Sequence, residues 1–203
     1  MTTTKRLVVL VSGSGTNLGA VLDACNAGRL DAGVVAVVCN RAGAYALTRA
    51  ADHDVPALLL ERLPGEARAD YDARLVELVA PFEPDLVVLA GWMRILTPTF
   101  VGRFPVINLH PALPGQFPGA HAIDEAFAAW EAGEITESGV MIHWVPDAGV
   151  DEGPVILHAV VPFEAGDTLE TFEARVHTVE HRAIVEAIDL ALATAEEHHA
   201  AHQ

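Results

Sequence analysis

The chain reads as an α/β protein: a doubly wound, mostly parallel sheet completed by a C-terminal strand pair and a long C-terminal helix. Three observations predict this. Runs apolar at every position, such as Leu7-Val8-Val9-Leu10-Val11 and Leu86-Val87-Val88-Leu89, alternate with helical patterns, and strands apolar on both faces need helices on both sides. A glycine-rich turn, Ser12-Gly13-Ser14-Gly15-Thr16-Asn17, separates the first run from the first helical pattern. Beyond Pro118 the alternation gives way to two strand-like runs and one long helical stretch.

In chain order, residues 7–11 form the first strand, and Leu18, Leu22 and Cys25 mark the helix after the glycine turn. Residues 34–38 and 57–60 are the second and third strands. Tyr71, Leu75, Leu78, Val79 and Phe82 fall at helical spacing, with Pro81 and Pro84 bracketing the exit. Residues 85–90 and 106–109 are two further strands. A helix near residues 121–132 precedes strands at 138–145 and 154–161. Leu169, Phe172, Val176, Val179, Ala183, Ala187 and Leu190 then recur at three- and four-residue steps, with Asp167 and Glu170 as a plausible helix start. No repeat or linker interrupts residues 1–203, which suits a single domain with halves at 1–110 and 111–203. The tail from Glu196 to Gln203 reads as a helix end rather than a metal site.

With no apolar run long enough to span a bilayer and no cleavable signal pattern, the expected location is the cytoplasm, with no membrane partner. A net charge of −16 opposes tracking a polyanion, so no nucleic-acid partner is expected. Single phosphates or carboxylates remain suitable ligands, because a helix N-terminus and one or two arginines suffice to bind them. Cys25 and Cys39 lack CxxC spacing and read as buried free thiols. A monomer or a homodimer fits equally.

The glycine turn offers exposed amides at a helix N-terminus, which suits a phosphate; a turn capped by Thr16 or Asn17 is the alternative. A dinucleotide fits less well, since Leu18 replaces the third glycine and Asn40-Arg41 stand where an acidic ribose ligand belongs. Asn108 and His110 are two apart on a strand and therefore share a face at its carboxyl end. They supply an amide donor and a group that holds a proton near neutral pH, the equipment for stabilising an oxyanion. Polar groups closing a strand end would look the same. Asp151, between Gly149 and Gly153, sits in a sharply turned loop that either approaches a ligand or merely turns. Gly91-Trp92-Met93-Arg94-Ile95-Leu96 leaves a strand with apolar side chains around one arginine, fitting a flat aromatic ligand or the core. Arg68 reads as a surface charge, and His143, His158 and His177 as structural.

Taken together, these segments resemble the phosphoribosylglycinamide formyltransferases, folate-dependent enzymes of de novo purine biosynthesis. The resemblance is carried by residues 12–18, 89–98 and 108–111, by Phe117-Pro118-Gly119, by residues 150–156, and by Ala174-Arg175-Val176 with Glu180-His181. It implies the formyltransferase fold and transfer of a formyl group from 10-formyltetrahydrofolate, a co-substrate, to the amine of glycinamide ribonucleotide, with no metal. By position, Gly15, Thr16 and Asn17 would hold the phosphate, and Glu180 the ribose or glycinamide. Arg68, Met93, Arg94, Ile95, Leu96 and Asn108 would contact the folate. Asn108, His110 and Asp151 would be the catalytic set, Asp151 keeping the imidazole charged. The turn after His110 departs from the family's His-Pro-Ser-Leu-Leu-Pro, reading Pro111-Ala112-Leu113-Pro114-Gly115. Formyltetrahydrofolate deformylase shares the Asn-His-Asp set but normally carries an N-terminal regulatory domain, and its first loop lacks the Gly-Thr-Asn pattern. Methionyl-tRNA formyltransferase adds a C-terminal domain and suits a less acidic chain. A sugar-nucleotide formyltransferase and a catalytically silent folate- or nucleotide-binding protein are the remaining alternatives.

Overall fold

A computed structural model of the chain describes residues 4–146 and 149–201, with side chains to residue 195 of the last helix. The side chains of the tail, and with them its histidine cluster, lie outside the described residues, as do Asp147 and Ala148 of the turn before Asp151. The element order is β1 (Lys5–Val11), α1 (Thr16–Asn26), β2 (Ala32–Cys39), α2 (Tyr45–Asp52), β3 (Ala57–Leu59), α3 (Arg68–Val79), β4 (Leu86–Leu89), α4 (Pro98–Val101), β5 (Val106–His110), α5 (Ala122–Glu131), β6 (Glu137–Trp144), β7 (Val155–Pro162) and α6 (Leu169–Ala201). A single 3-10 turn, Ala80–Phe82, extends α3.

All seven strands join one sheet in the order β3-β2-β1-β4-β5-β6-β7. The pairings from β3 through β5 are parallel, and β6 and β7 add two antiparallel pairings. The expected mostly parallel sheet with a C-terminal strand pair is therefore what forms. Strand β1 shows why its sequence is apolar throughout. Leu7, Val9 and Val11 pack with Leu18, Phe172 and Ile184 on the α1/α6 side. Val8 and Leu10 pack with Tyr71, Leu75 and Phe100 on the α3/α4 side. Burying each such side chain is worth about 1.5–3 kcal/mol, so β1 anchors both layers at once.

Two elements escape the apolar pattern. Helix α2 is eight residues long and buries only two small side chains, Ala46 and Ala50, so no run of large apolar residues marks it. Helix α4 is four residues long, with Pro98 at its start. At the start of α6 the Thr168 hydroxyl accepts from the Thr171 N–H at 3.3 Å, and Asp167 Oδ1 accepts from the Thr171 hydroxyl at 3.1 Å. Asp167 also forks onto Arg175 at 2.7 and 2.8 Å. Both cysteines are free, with Cys39 buried and Cys25 half-buried. None of the described helices is long and apolar enough to cross a membrane.

The sheet order places a topological switch between β1 and β4. Chains leaving these neighbouring strands turn in opposite directions, which opens a crevice at their carboxyl ends. The Ser12 N–H donates to the Gly91 carbonyl at 3.0 Å, and the Met93 N–H donates to Ser12 Oγ at 2.8 Å, tying the two departing loops together. Because Leu10 is fully buried, Leu10→Ala should cost about 2–5 kcal/mol, read as a lower urea midpoint with an unchanged slope. A cost under about 1 kcal/mol would mean that β1 does not hold the two layers as described.

Candidate active site

The crevice holds two recesses. The first, of about 400 Å³, lies over the glycine turn and is lined by Ser12, Gly15, Thr16 and Asn17 together with Arg41, His177 and Glu180. The second, of about 320 Å³, is lined by Met93, Arg94, Ile95 and Leu96 together with Asn108, His110, His143 and Asp151. Gly91, Met93, Leu109, Pro111 and Ala120 line both, so the recesses share a wall. Each draws side chains from either side of residue 110.

In the first recess Gly15 adopts φ 68 immediately before α1, and a Cβ there would come within 2.7 Å of Ala46 Cβ. Only glycine lets the turn pack this closely on α2 and leave the amides of α1 open at its N-terminus. Arg49 holds the turn from the far side, donating from Nε to the Ser14 carbonyl at 2.8 Å. Asn17 is buried and reaches across to the last helix, donating from Nδ2 to Glu180 Oε2 at 3.1 Å. His177 Nδ1 donates to the same oxygen at 2.8 Å, and its Nε2 lies 3.5 Å from Glu173. Bonding to Glu180 raises the His177 pKa above the ordinary imidazole value despite partial burial. Asn17 Oδ1 is buried with no hydrogen-bond partner among the described residues, an open acceptor inside a polar recess. Open amides at a helix N-terminus, a carboxylate and an imidazole thus face one space.

In the second recess Met93 and Ile95 are 49% and 38% exposed, so these side chains are an apolar lining rather than core. Trp92 and Leu96 are the buried members of the segment. Arg94 stacks its guanidinium over the Tyr71 ring at 4.0 Å. Tyr71 is in turn fixed by donating to the Leu60 carbonyl at 2.8 Å, and burial pushes its hydroxyl up to about 12.

Where the recesses meet, β5 presents Asn108 and His110, and the loop between β6 and β7 returns Asp151 to them. Asn108 Nδ2 donates to Asp151 Oδ1 at 2.9 Å, and the Gly119 N–H donates to Oδ2 at 2.9 Å. His110 Nδ1 lies 3.3 Å from Oδ2, and its Nε2 lies 3.3 Å from the Gln116 carbonyl. Both ring nitrogens of His110 therefore face acceptors. His110 is 3% exposed. Burial pushes the Asp151 carboxyl up, but its imidazole neighbours and the Gly119 N–H outweigh this and hold it below the usual carboxylate range. Asp151 itself sits at φ 56, a left-handed conformation held by this set of bonds.

The geometry thus brings together Asn108, His110 and Asp151, and separately Gly15, Thr16, Asn17 and Glu180. Met93, Arg94, Ile95 and Leu96 join the former group. Arg68 stands apart, exposed at the first residue of α3 and outside the lining of the second recess. Two histidines that read as structural in the sequence belong to the recesses. His177 has Glu173 and Glu180 at helical spacing, a signal available in the sequence. His143 stands opposite Asn108 in the β5–β6 ladder, a position that needed the register.

Comparison with known proteins agrees with this geometry. A family model described as "Formyl transferase" matches residues 5–188. Phosphoribosylglycinamide formyltransferase of Schizosaccharomyces pombe is 45% identical over 196 residues, covering 90% of this chain and 94% of that protein. The enzyme of the same name from Escherichia coli is 41% identical over 177 residues, covering 86% and 81%. The crystal structure of glycinamide ribonucleotide transformylase 1 from Symbiobacterium toebii superposes with a TM-score of 0.87 at 42% identity, covering 94% of this chain and 88% of that one. The chain belongs to the formyl transferase family and, within it, to the phosphoribosylglycinamide formyltransferases.

Proposed function

We propose that this protein transfers the formyl group of 10-formyltetrahydrofolate to the amine of glycinamide ribonucleotide, in the cytoplasm, and that Asn108, His110 and Asp151 perform the chemistry. The observation that carries this reading is their convergence at the shared wall of two recesses, one polar and built at a helix N-terminus, the other apolar with an arginine. The ribonucleotide phosphate takes the amides of Gly15, Thr16 and Asn17, and Glu180 receives the ribose or glycinamide. The folate lies along Met93, Arg94, Ile95 and Leu96 beside Asn108. Arg68 would join it through the far end of the folate, beyond the recess itself.

In this arrangement the amine attacks the formyl carbon and forms a new C–N bond. Charge collects on the formyl oxygen, where Asn108 and His110 each offer an N–H; one such donor is commonly worth ~10²–10³ in rate. The contacts of His110 are long for N–H···O bonds, so exchanging one for the formyl oxygen gives up little. Asp151, anionic at neutral pH, balances the imidazolium and takes the proton of the attacking amine through water. The bond between the formyl carbon and N10 then breaks, and N10 leaves with a proton supplied from His110.

The direct test mixes the protein with both substrates and follows the formylated ribonucleotide and the released tetrahydrofolate. Transfer that requires the ribonucleotide supports the reading; folate turnover without it would support a hydrolase, and binding without turnover a silent protein. His110→Ala and Asp151→Asn should each lower kcat by at least ~10²-fold while changing either KM by less than ~5-fold, since the set acts mainly in the transition state. Near-normal kcat in either variant would remove the proposed roles. Asn17→Ala should raise the KM for the ribonucleotide and leave that for the folate unchanged; an unchanged ribonucleotide KM would place the phosphate elsewhere. The raised His177 pKa gives a further expectation. Its bond to Glu180 stabilises the fold fully below the unfolded value of about 6.5, and that contribution is lost as pH rises through the higher folded value. The urea-midpoint gap between the native protein and His177→Ala should therefore shrink from about pH 6 to about pH 9, and a growing gap would contradict the pairing.

A further inference from the structure

His143 is a buried titratable group of the second recess that the mechanism above leaves unused. It is 2% exposed and pairs across the antiparallel β5–β6 ladder with Asn108, so the two side chains share a face. Its Nδ1 lies 2.8 Å from the Trp144 carbonyl. A carbonyl only accepts, so Nδ1 carries a proton, and a ring protonated there alone keeps a lone pair on Nε2. That nitrogen lies 3.3 Å from Asn108 Nδ2 and 3.5 Å from Asp151 Oδ1. The shorter contact is the one to the Asn108 amide, whose other hydrogen goes to Asp151 Oδ1 at 2.9 Å, so a lone pair on Nε2 meets a donor there.

The fold protects this tautomer. A Cβ at Gly153 would collide with the Trp144 carbonyl and lie 3.0 Å from His143 Nδ1. Only glycine lets the loop that carries Asp151 close over the bond between Nδ1 and the carbonyl. The Trp144 N–H donates to the Pro154 carbonyl at 2.9 Å, pinning the same loop from its other end.

We infer that His143 is a positioning residue for Asn108: together with Asp151 Oδ1 it presents two acceptors that only the nitrogen side of the carboxamide can satisfy, and so fixes which end of Asn108 can donate. Turned the other way, the amide oxygen would face a carboxylate oxygen and a lone pair, and the site would offer the formyl group an acceptor where it needs a donor. When the formyl oxygen arrives it takes the hydrogen that Nε2 held, so the amide is already aimed before charge develops. This inference rests on the formyl-transfer reading but concerns one residue within it.

The test uses side chains that separate the two nitrogens. Glutamine places its Oε1 near the position of Nε2 as an acceptor, whereas asparagine reaches only the position of Nδ1. His143→Gln should keep kcat within about 3-fold of native, and His143→Asn should lose about 10-fold or more with both KM values little changed. In an Asn108→Ala background His143→Asn should cost less than about 2-fold, because its partner is gone. Equal losses in both backgrounds, or asparagine outperforming glutamine, would overturn the proposal and leave formyl transfer itself untouched so long as His110→Ala still lowers kcat at least ~10²-fold. Nitrogen NMR gives a readout that needs no turnover. Nε2 of His143 should carry the shift of an unprotonated, hydrogen-bond-accepting nitrogen at neutral pH and move in Asn108→Ala; a protonated Nε2, or no response to Asn108→Ala, would overturn it.

Discussion

The carboxylate of Asp151 organises the site. One oxygen receives the Asn108 amide and faces His143, and the other receives the Gly119 N–H and faces His110. The end of β5, the turn after it and strand β6 are thereby held to one anion carried by the β6–β7 loop. Removing a partner from a half-buried charge of this kind leaves it without compensation, so the arrangement holds together or fails as a unit. The left-handed backbone at Asp151 and at Phe117, φ 56 and φ 43, is the local cost of bringing these loops to the same point.

The sheet makes that convergence affordable. A parallel strand ends where its neighbours end, so β1, β4 and β5 deliver the glycine turn, the Met93 segment and the Asn108–His110 pair to one edge. An additional parallel strand would need a long crossover, whereas the antiparallel β6 sets His143 directly beside Asn108 and returns Asp151 to the same edge through a short loop. Helix α6 packs on the α1 side of the sheet and supplies Glu180 and His177 to the first recess. Both recesses therefore belong to one rigid frame, and Ser12 links their floors through Gly91 and Met93.

Much of this was legible in the amino-acid order. The strands apolar on both faces, the glycine turn, and the two-residue step from Asn108 to His110 each follow from local periodicity, which backbone geometry enforces. Met93 and Ile95 could not be told from core by composition, because an apolar lining and an apolar core use the same side chains; their exposure distinguishes them. Helix α2 was hidden because it is short and buries only small side chains. His143 was hidden because its role depends on strand register, and its partner Asn108 is 35 residues away. The bond from Asn17 to Glu180 spans 163 residues, and no spacing rule reaches that far. Arg68, assigned through the family resemblance, is the residue that the recess geometry does not gather in.

The central claim is that Asn108 and His110 act on one and the same developing oxyanion. Single-turnover rates of formyl transfer for Asn108→Ala, His110→Ala and the double variant test it most directly. Two donors serving one oxygen predict a double variant only slightly slower than the slower single variant, the losses being far from additive. Losses that multiply, as for independent sites, would contradict the account.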